Sequence, residues 1–331
     1  LVHFKADNRD CSALSTKFLE EPSNIAHSAF LILAITGALR LSIIDLSEHQ
    51  IVVNELANGI LAMDLDDSGA FAIHFGSSDV YRGIEFYPGE ALLSLLDAYQ
   101  YSEELEDSSN ALLSKATDSV IVPAAVRAFL FYSDYYRCGN VGDRYTSFFS
   151  NWQVQCFTRL FEILKQMEQT EQTGDSNMGF GTMLCNSETS DKESKECAHN
   201  VTSPDVAEYV FELCDAIITS TSWQQLMKGH WKSLATVEIA CGLEALADGA
   251  MIALQFSSAA LSEKVSAYMP FIEKAVDFLG DIQDQVPPHA VGSGGLAHTM
   301  LVKEQRLDVT GHAVNALVKV FSLHQMLQST E

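Results

Sequence analysis

The pattern that most narrows the fold is one phrase used three times: a short Gly-aromatic or Gly-Leu stretch, a loop, then a strongly apolar helix. Gly69-Ala70-Phe71 leads to the helix after Pro88-Gly89-Glu90-Ala91. A looser copy, Gly179-Phe180-Gly181, leads to a helix from Asp205, and Gly294-Gly295-Leu296 leads to the helix after Arg306-Leu307-Asp308. Spaced copies of one supersecondary unit point to a closed or stacked repeat architecture. Such an architecture gathers several helix starts around one central cavity, which is where a site is expected.

Between these phrases the periodicity is helical almost throughout. Helices are predicted over Asn24–Leu41, with Ser23 or Asn24 as cap, then Gln50–Met63, Gly89–Tyr101, and from Pro123 through Tyr136. Further helices are predicted over Phe148–Met167, Asp205–Thr219, Ser233–Asp248, Leu261–Gly280 and Asp308–Leu327. Ala70 to Phe75 alternates like a short strand, and 168–203 reads as a polar excursion. In the helix over 89–101 only Glu90, Ser94, Asp97 and Gln100 interrupt the apolar surface. A helix apolar on most sides is covered on most sides. Broadly buried helices alternating with amphipathic ones are what two concentric helical layers require. The expectation is therefore all-α: an N-terminal extension over 1–23, then a single domain of helical hairpins over 24–327 with short strand-like pieces in its loops.

The grammar resembles that of α/α toroid proteins. The resemblance rests on Tyr87-Pro88-Gly89-Glu90-Ala91-Leu92-Leu93 followed by Leu95-Leu96-Asp97-Ala98-Tyr99. It rests also on Gln283 with Gly294-Gly295-Leu296 after a Pro-containing loop and before a helix. It spans about residues 24–326 and carries no single family's catalytic signature. That superfamily includes six-hairpin glycosidases, polysaccharide lyases, sugar epimerases and terpenoid cyclases. The resemblance thus implies an (α/α) toroid and, more loosely, a saccharide or terpenoid substrate.

Charge narrows the partners. Forty-four acidic residues against 20 Lys and Arg give a formal net charge of −24, a field that repels phosphate backbones and anionic membrane surfaces. Nucleic acid is excluded as a partner on that basis, while a small neutral or cationic ligand and a protein partner stay compatible. The most apolar run, Ile25 to Ile44, approaches the length of a membrane span, but His27, Ser28, Thr36 and Arg40 interrupt it, so a buried helix is expected. Of seven cysteines, Cys156, Cys214 and Cys241 fall in apolar helical patterns and are expected as buried thiols. Cys185 and Cys197 flank a polar loop followed by the sequon Asn200-Val201-Thr202. That arrangement favours a secreted or luminal protein, with a soluble organellar one as the alternative. Leu1 in place of Met fits a removed leader or tag.

Four clusters at or near helix starts can carry chemistry. The first holds Tyr81, Arg82, Glu85, Tyr87 and Glu90; Glu90 is either an acid–base group or a first-turn acid favoured by the helix dipole. The second is Asn151-Trp152-Gln153, where an indole beside amides suits a sugar ring or is simply structural. The third is Thr236, Glu238 and Glu244. An inward Glu238 among Val237, Ile239, Ala240 and Leu243 would be desolvated into a general acid, whereas an outward one is a surface residue. The fourth is Arg306, Asp308 and His312. Asp308 and His312 share a face at i, i+4, so the carboxylate can charge the imidazole while Arg306 holds an anion. The plainer reading makes Asp308 a helix cap and the continuing face, Asn315 and Lys319, solvent-facing.

Two motifs are discounted. Asp64-Leu65-Asp66-Asp67-Ser68-Gly69 opens like a calcium loop, but Phe75 occupies the twelfth position where Glu is needed. The same run resembles the D-x-D-D of class II terpenoid cyclases, though the plain account is an acidic turn ending a helix. Cys185, Cys197 and His199 lack the C-x2-C spacing of a zinc site. The chain contains no P-loop, no H-E-x-x-H and no G-x-S-x-G, and no G-x-G-x-x-G follows a strand pattern, which argues against kinase, zincin, α/β-hydrolase and dehydrogenase chemistry. The resulting expectation is a carbohydrate-processing hydrolase, lyase or epimerase. Glu90, Glu238, Asp308 and His312 would be the acid–base groups, and Tyr81, Arg82, Tyr87, Trp152, Gln153 and Arg306 would contact substrate. That scheme requires no cofactor or metal. The alternatives are a cyclase protonating through Asp66, with Phe71, Tyr81, Phe86 and Trp152 around it, and a non-catalytic scaffold.

Overall fold

The computed structural model describes residues 2–6, 9–13, 23–105, 111–142, 145–173, 201–256, 259–283, 295–302 and 304–330. These form a predominantly helical protein, 74% helix in ten helices. In order they are a hairpin of β1 (Val2–Ala6) and β2 (Arg9–Ala13), then α1 (Ile25–Arg40), α2 (Leu46–Leu61), α3 (Tyr87–Glu104), α4 (Lys115–Arg137), α5 (Thr146–Thr173), α6 (Ser203–Thr219), α7 (Thr221–Met227), α8 (Thr236–Leu254), α9 (Ala259–Gln283) and α10 (Leu307–Thr330). Among the described residues no helix is long and apolar enough to cross a membrane. The second Gly-aromatic phrase, Cys185, Cys197, His199, Asn200 and Gly294 lie outside the described residues, as does most of 168–203.

Contacts divide the chain into two compact units: 1–140 with 159–206, and 141–158 with 207–331. The division runs through α5 rather than through a linker.

In unit 1 the strands pair antiparallel from Val2↔Ala13 to Ala6↔Arg9, and the hairpin packs on α2. The region read as an extension is thus tied to the helices. Gly59 makes the contact possible, because a Cβ there would lie 2.1 Å from the Ser12 carbonyl oxygen. Asn24 caps α1, its side-chain oxygen accepting from the His27 N–H at 3.2 Å. The strand predicted over Ala70–Phe75 is absent. Its backbone bonds instead to the entry of α1 and the exit of α2, through Ile25 N–H to Ile73 O at 2.9 Å and Ala72 N–H to Met63 O at 2.8 Å. Only isolated bridges form there, at Asn24↔His74 and Asp64↔Phe71. Pro123 does not open its helix either: α4 starts two turns earlier, where Ser114 Oγ accepts from the Thr117 N–H, and Pro123 sits inside it.

Three of the four interruptions of α3 are themselves enclosed: Glu90, Ser94 and Asp97 are buried, and Gln100 is half-buried. Asp97 accepts a 2.6 Å bond from Arg40, whose Nε also reaches Glu104 at 3.4 Å. The end of α1 therefore meets the second half of α3.

In unit 2, α8 is buried around nearly its whole circumference and packs on both α9 and α10. Loop 295–306 ties the starts of α8 and α10 together. Thr236 donates to Ala297 O at 2.6 Å, its N–H to His298 O at 2.8 Å, and the Leu296 N–H to Thr310 Oγ1 at 3.1 Å. The short α7, which periodicity missed for want of length, buries Trp223 against Gly242 of α8.

Candidate functional site

Three helices of unit 2 each bring a polar pair spaced i, i+4 to one place: Asn151 and Gln155 on α5, Glu244 and Asp248 on α8, Asn315 and Lys319 on α10. His312 joins from one turn earlier on α10. That spacing puts both members of each pair on one face of their helix.

Glu244 is at the centre, its side chain 1% exposed. Its Oε2 lies 3.1 Å from His312 Nδ1 and accepts from Gln155 Nε2 at 3.3 Å, while Oε1 accepts from Asn315 Nδ2 at 2.7 Å. Of these three partners only the imidazole can carry charge. A buried carboxylate needs such partners, because desolvation otherwise drives it to the neutral form. Gln155 also donates to Asn151 Oδ1 at 2.9 Å and accepts from Lys319 Nζ at 2.9 Å. Lys319 Nζ is 2.5 Å from Asp248 Oδ2, with side-chain exposures of 19% and 6%. His312 is 20% exposed, so the network opens to solvent on the α10 side. Contacts advance in step along the helices, 312 with 244 and 319 with 248, which makes α8 and α10 parallel.

Cys241 is buried one turn before Glu244 on the same helix. Ligand atoms of Cys241, Glu244 and His312 all lie within 4.8 Å of one another. The sequence reading assigned no metal, but these three residues have the chemistry to hold one.

The predicted site residues fall in two sets. Tyr81, Arg82, Tyr87 and Glu90 belong to unit 1. Tyr81 is exposed and stacks on Tyr135 at 6.2 Å, the Arg82 backbone N–H is held by Asp79, and the Tyr87 ring covers Gly83. Glu90 is buried in α3. Trp152, Gln153, Glu238, Arg306, Asp308 and His312 belong to unit 2. Trp152 and His312 come together, ring centroids 5.5 Å apart and edge to face. Trp152 is buried, so it braces the imidazole rather than standing as an open stacking wall. Gln153 is buried, and among the described residues its Oε1 accepts no hydrogen bond. Glu238 is half-buried and six residues before Glu244, a third of a helical turn off its face. Asp308 is not the imidazole's partner. It is tied to Arg306 at 2.5 and 3.0 Å, both groups about half exposed; against the upward push of burial, that guanidinium and the Val309 backbone N–H hold its carboxyl below the usual range.

Sequence patterning places Glu244 beside Glu238 without a role and gives Asp248, Gln155, Asn315 and Lys319 no place in a site. The signal was a carboxylate pair at i, i+4 inside an otherwise apolar helix. A search centred on helix starts passes over it.

Unit 1 contains a separate groove of about 310 Å³, lined in part by Leu61, Asp67, Pro123, Ala124 and Arg127. Arg127 binds Asp64 at 2.7 Å and Asp67 at 3.1 Å, while Gly69 N–H donates to Asp64 at 2.7 Å. Burial pushes the Asp64 carboxyl up against the pull of Arg127. Asp66 is exposed on this turn in the left-handed region, φ 53°. Comparison with family models, with curated proteins and with solved structures yields no match.

Proposed function

We propose that this chain is a carbohydrate-processing enzyme, a hydrolase, lyase or epimerase, whose acid–base pair is His312 and Glu244. The observation that carries the reading is a fully buried carboxylate 3.1 Å from an imidazole that reaches solvent. In this arrangement the solvent side of His312 exchanges a proton with the ligand, and Glu244 compensates the imidazolium that results. Asn315 and Lys319 beside it offer donors for hydroxyl or carboxylate groups, as a hydroxyl-rich ligand needs. Trp152 fixes the plane of the ring.

The same reading includes the (α/α) toroid. Its support is that the strongest helix pairings skip one helix, α1 with α3 and α8 with α10, and that α8 and α10 are parallel. Consecutive inner helices of a hairpin ring have that relation, with α2 and α9 as outer members. The chain's residence in a secretory or luminal compartment is proposed on the sequon and flanking cysteines alone.

A non-catalytic docking scaffold is the second reading, favoured by Val314, Val318 and Phe321, an apolar stripe on α10 that is 54%, 57% and 64% exposed. Nothing comparable favours the cyclase, since Asp66 is exposed.

The test is turnover of a panel of aryl glycosides, uronate oligosaccharides and free hexoses. The expected result is activity on at least one, lost about 100-fold or more in His312→Ala and in Glu244→Gln, with Glu90→Gln and Glu238→Gln close to wild type. Activity that survives both of the first two substitutions, or no activity on any member, refutes the reading.

A further inference from the structure

The atoms around Glu244 meet a second requirement. Cys241 and Glu244 are spaced i, i+3 on α8, so a thiol and a carboxylate emerge one above the other, and His312 faces them from the parallel α10. Their ligand atoms lie within 4.8 Å of one another. We propose that Cys241, Glu244 and His312 form a three-ligand site for a divalent transition-metal ion, zinc being the best match.

The donor set selects the metal. A thiolate with an imidazole suits zinc and excludes magnesium and calcium, which take oxygen ligands in larger shells. Zinc bonds of about 2.0 to 2.3 Å place tetrahedral ligand atoms roughly 3.3 to 3.8 Å apart. The Glu244 Oε2–His312 Nδ1 separation, 3.1 Å, is already close to that spacing. Three protein ligands leave one position for water or substrate, the arrangement of catalytic rather than structural zinc.

Two further features suit an ion. Asn315 and Gln155 donate to the two oxygens of Glu244 at 2.7 and 3.3 Å, orienting a ligand carboxylate as outer-shell donors do. Cys241 and Glu244 are sealed while His312 is 20% exposed, so the entry path runs past the imidazole. Binding is not a redox step. The Cys241 thiol proton, and any proton shared between His312 and Glu244, leave to solvent as the metal–ligand bonds form. The inference does not depend on the saccharide reading. An ion on the imidazole nitrogen that faces Glu244 leaves the solvent-facing nitrogen as a fixed N–H, so a bound ion silences His312 as an acid–base group.

The test is a cobalt(II) and zinc titration of the metal-stripped full chain, with no saccharide present. Expected is one equivalent of cobalt with a thiolate-to-metal charge-transfer band, displaced by one equivalent of zinc. Cys241→Ser should abolish the band, and His312→Gln, at a partly exposed position, should weaken zinc binding at least tenfold while circular dichroism stays native. Cys185→Ser should change neither, which separates this site from the thiols of the polar loop. A wild-type protein without the band overturns the proposal, as does a band that persists in Cys241→Ser or vanishes in Cys185→Ser. If Cys241→Ser does not fold, undiminished zinc affinity in His312→Gln is enough to overturn it. Because binding is read without turnover, failure here leaves the saccharide reading standing, and failure of that reading leaves this one standing.

Discussion

Lys319→Met is the substitution whose cost the structure fixes best. Lys319 Nζ serves Asp248 at 2.5 Å and Gln155 at 2.9 Å, and the side chains of Lys319 and Asp248 are 19% and 6% exposed. Removing one partner of a fully buried pair costs about 3 to 5 kcal/mol, because the other charge stays desolvated and unmatched, whereas a surface pair is worth about 1 kcal/mol or less. With the ammonium partly wet, the expectation is about 3 kcal/mol. For a unit of this size each kcal/mol lowers Tm by roughly 2 to 4 °C, so the drop should be about 6 to 12 °C. The double variant Lys319→Met with Asp248→Leu removes both charges and should recover most of the loss. Urea unfolding of wild type, both single variants and the double variant gives the coupling directly. If Lys319→Met costs under about 1 kcal/mol, or if the double variant is as unstable as the sum of the singles, the Lys319–Asp248 pair is not the coupled, largely buried pair described and its polar residues have no special hold on α8 and α10.

The other predictions lie in unit 1. Burial, with Glu103 nearby, pushes the Asp118 carboxyl up to about 6 from 3.8. Its stabilising share is therefore complete below pH 4 and lost as pH rises through 6, so Asp118→Asn should raise Tm at pH 7.5 and change nothing at pH 3.5. Gly69 has φ +81°, and a Cβ there would meet the Arg127 carbonyl at 2.3 Å; Gly69→Ala should cost about 2 kcal/mol or more by urea unfolding. Asn24→Ala removes the α1 cap and should cost about 1 kcal/mol, while Asn24→Asp should be close to neutral.

Much of the helical order is legible in the sequence, because helices such as α3 and α8 declare themselves by apolar periodicity that no loop context overrides. What was misread is non-local. The strand over Ala70–Phe75 has the right alternation, but its neighbours are a helix entry and a helix exit, so it finds single bridges instead of a ladder. Pro123 looks like a first-turn residue, yet the Ser114 cap two turns earlier sets the start of α4. The same limit governs the site. His312 was legible as a candidate from its place at a helix start, and Trp152 from the amides beside it. Their partner Glu244 is 68 residues from His312 in the chain, and only its i, i+4 spacing to Asp248 sets it apart locally from Glu238. Asp308 was assigned to His312 on i, i+4 spacing, but Arg306 sits closer in sequence and takes it first. Only the parallel packing of α8 against α10 decides which carboxylate meets the imidazole.

The most direct test of that pairing as a reaction centre is a crystal structure of the full chain soaked with the saccharide that binds best in the panel. The account predicts the sugar in unit 2, a hydroxyl or ring oxygen within hydrogen-bond distance of the solvent-facing nitrogen of His312 and another near Lys319 or Asn315. A sugar seated only elsewhere, with the Glu244–His312 network closed and untouched, contradicts it.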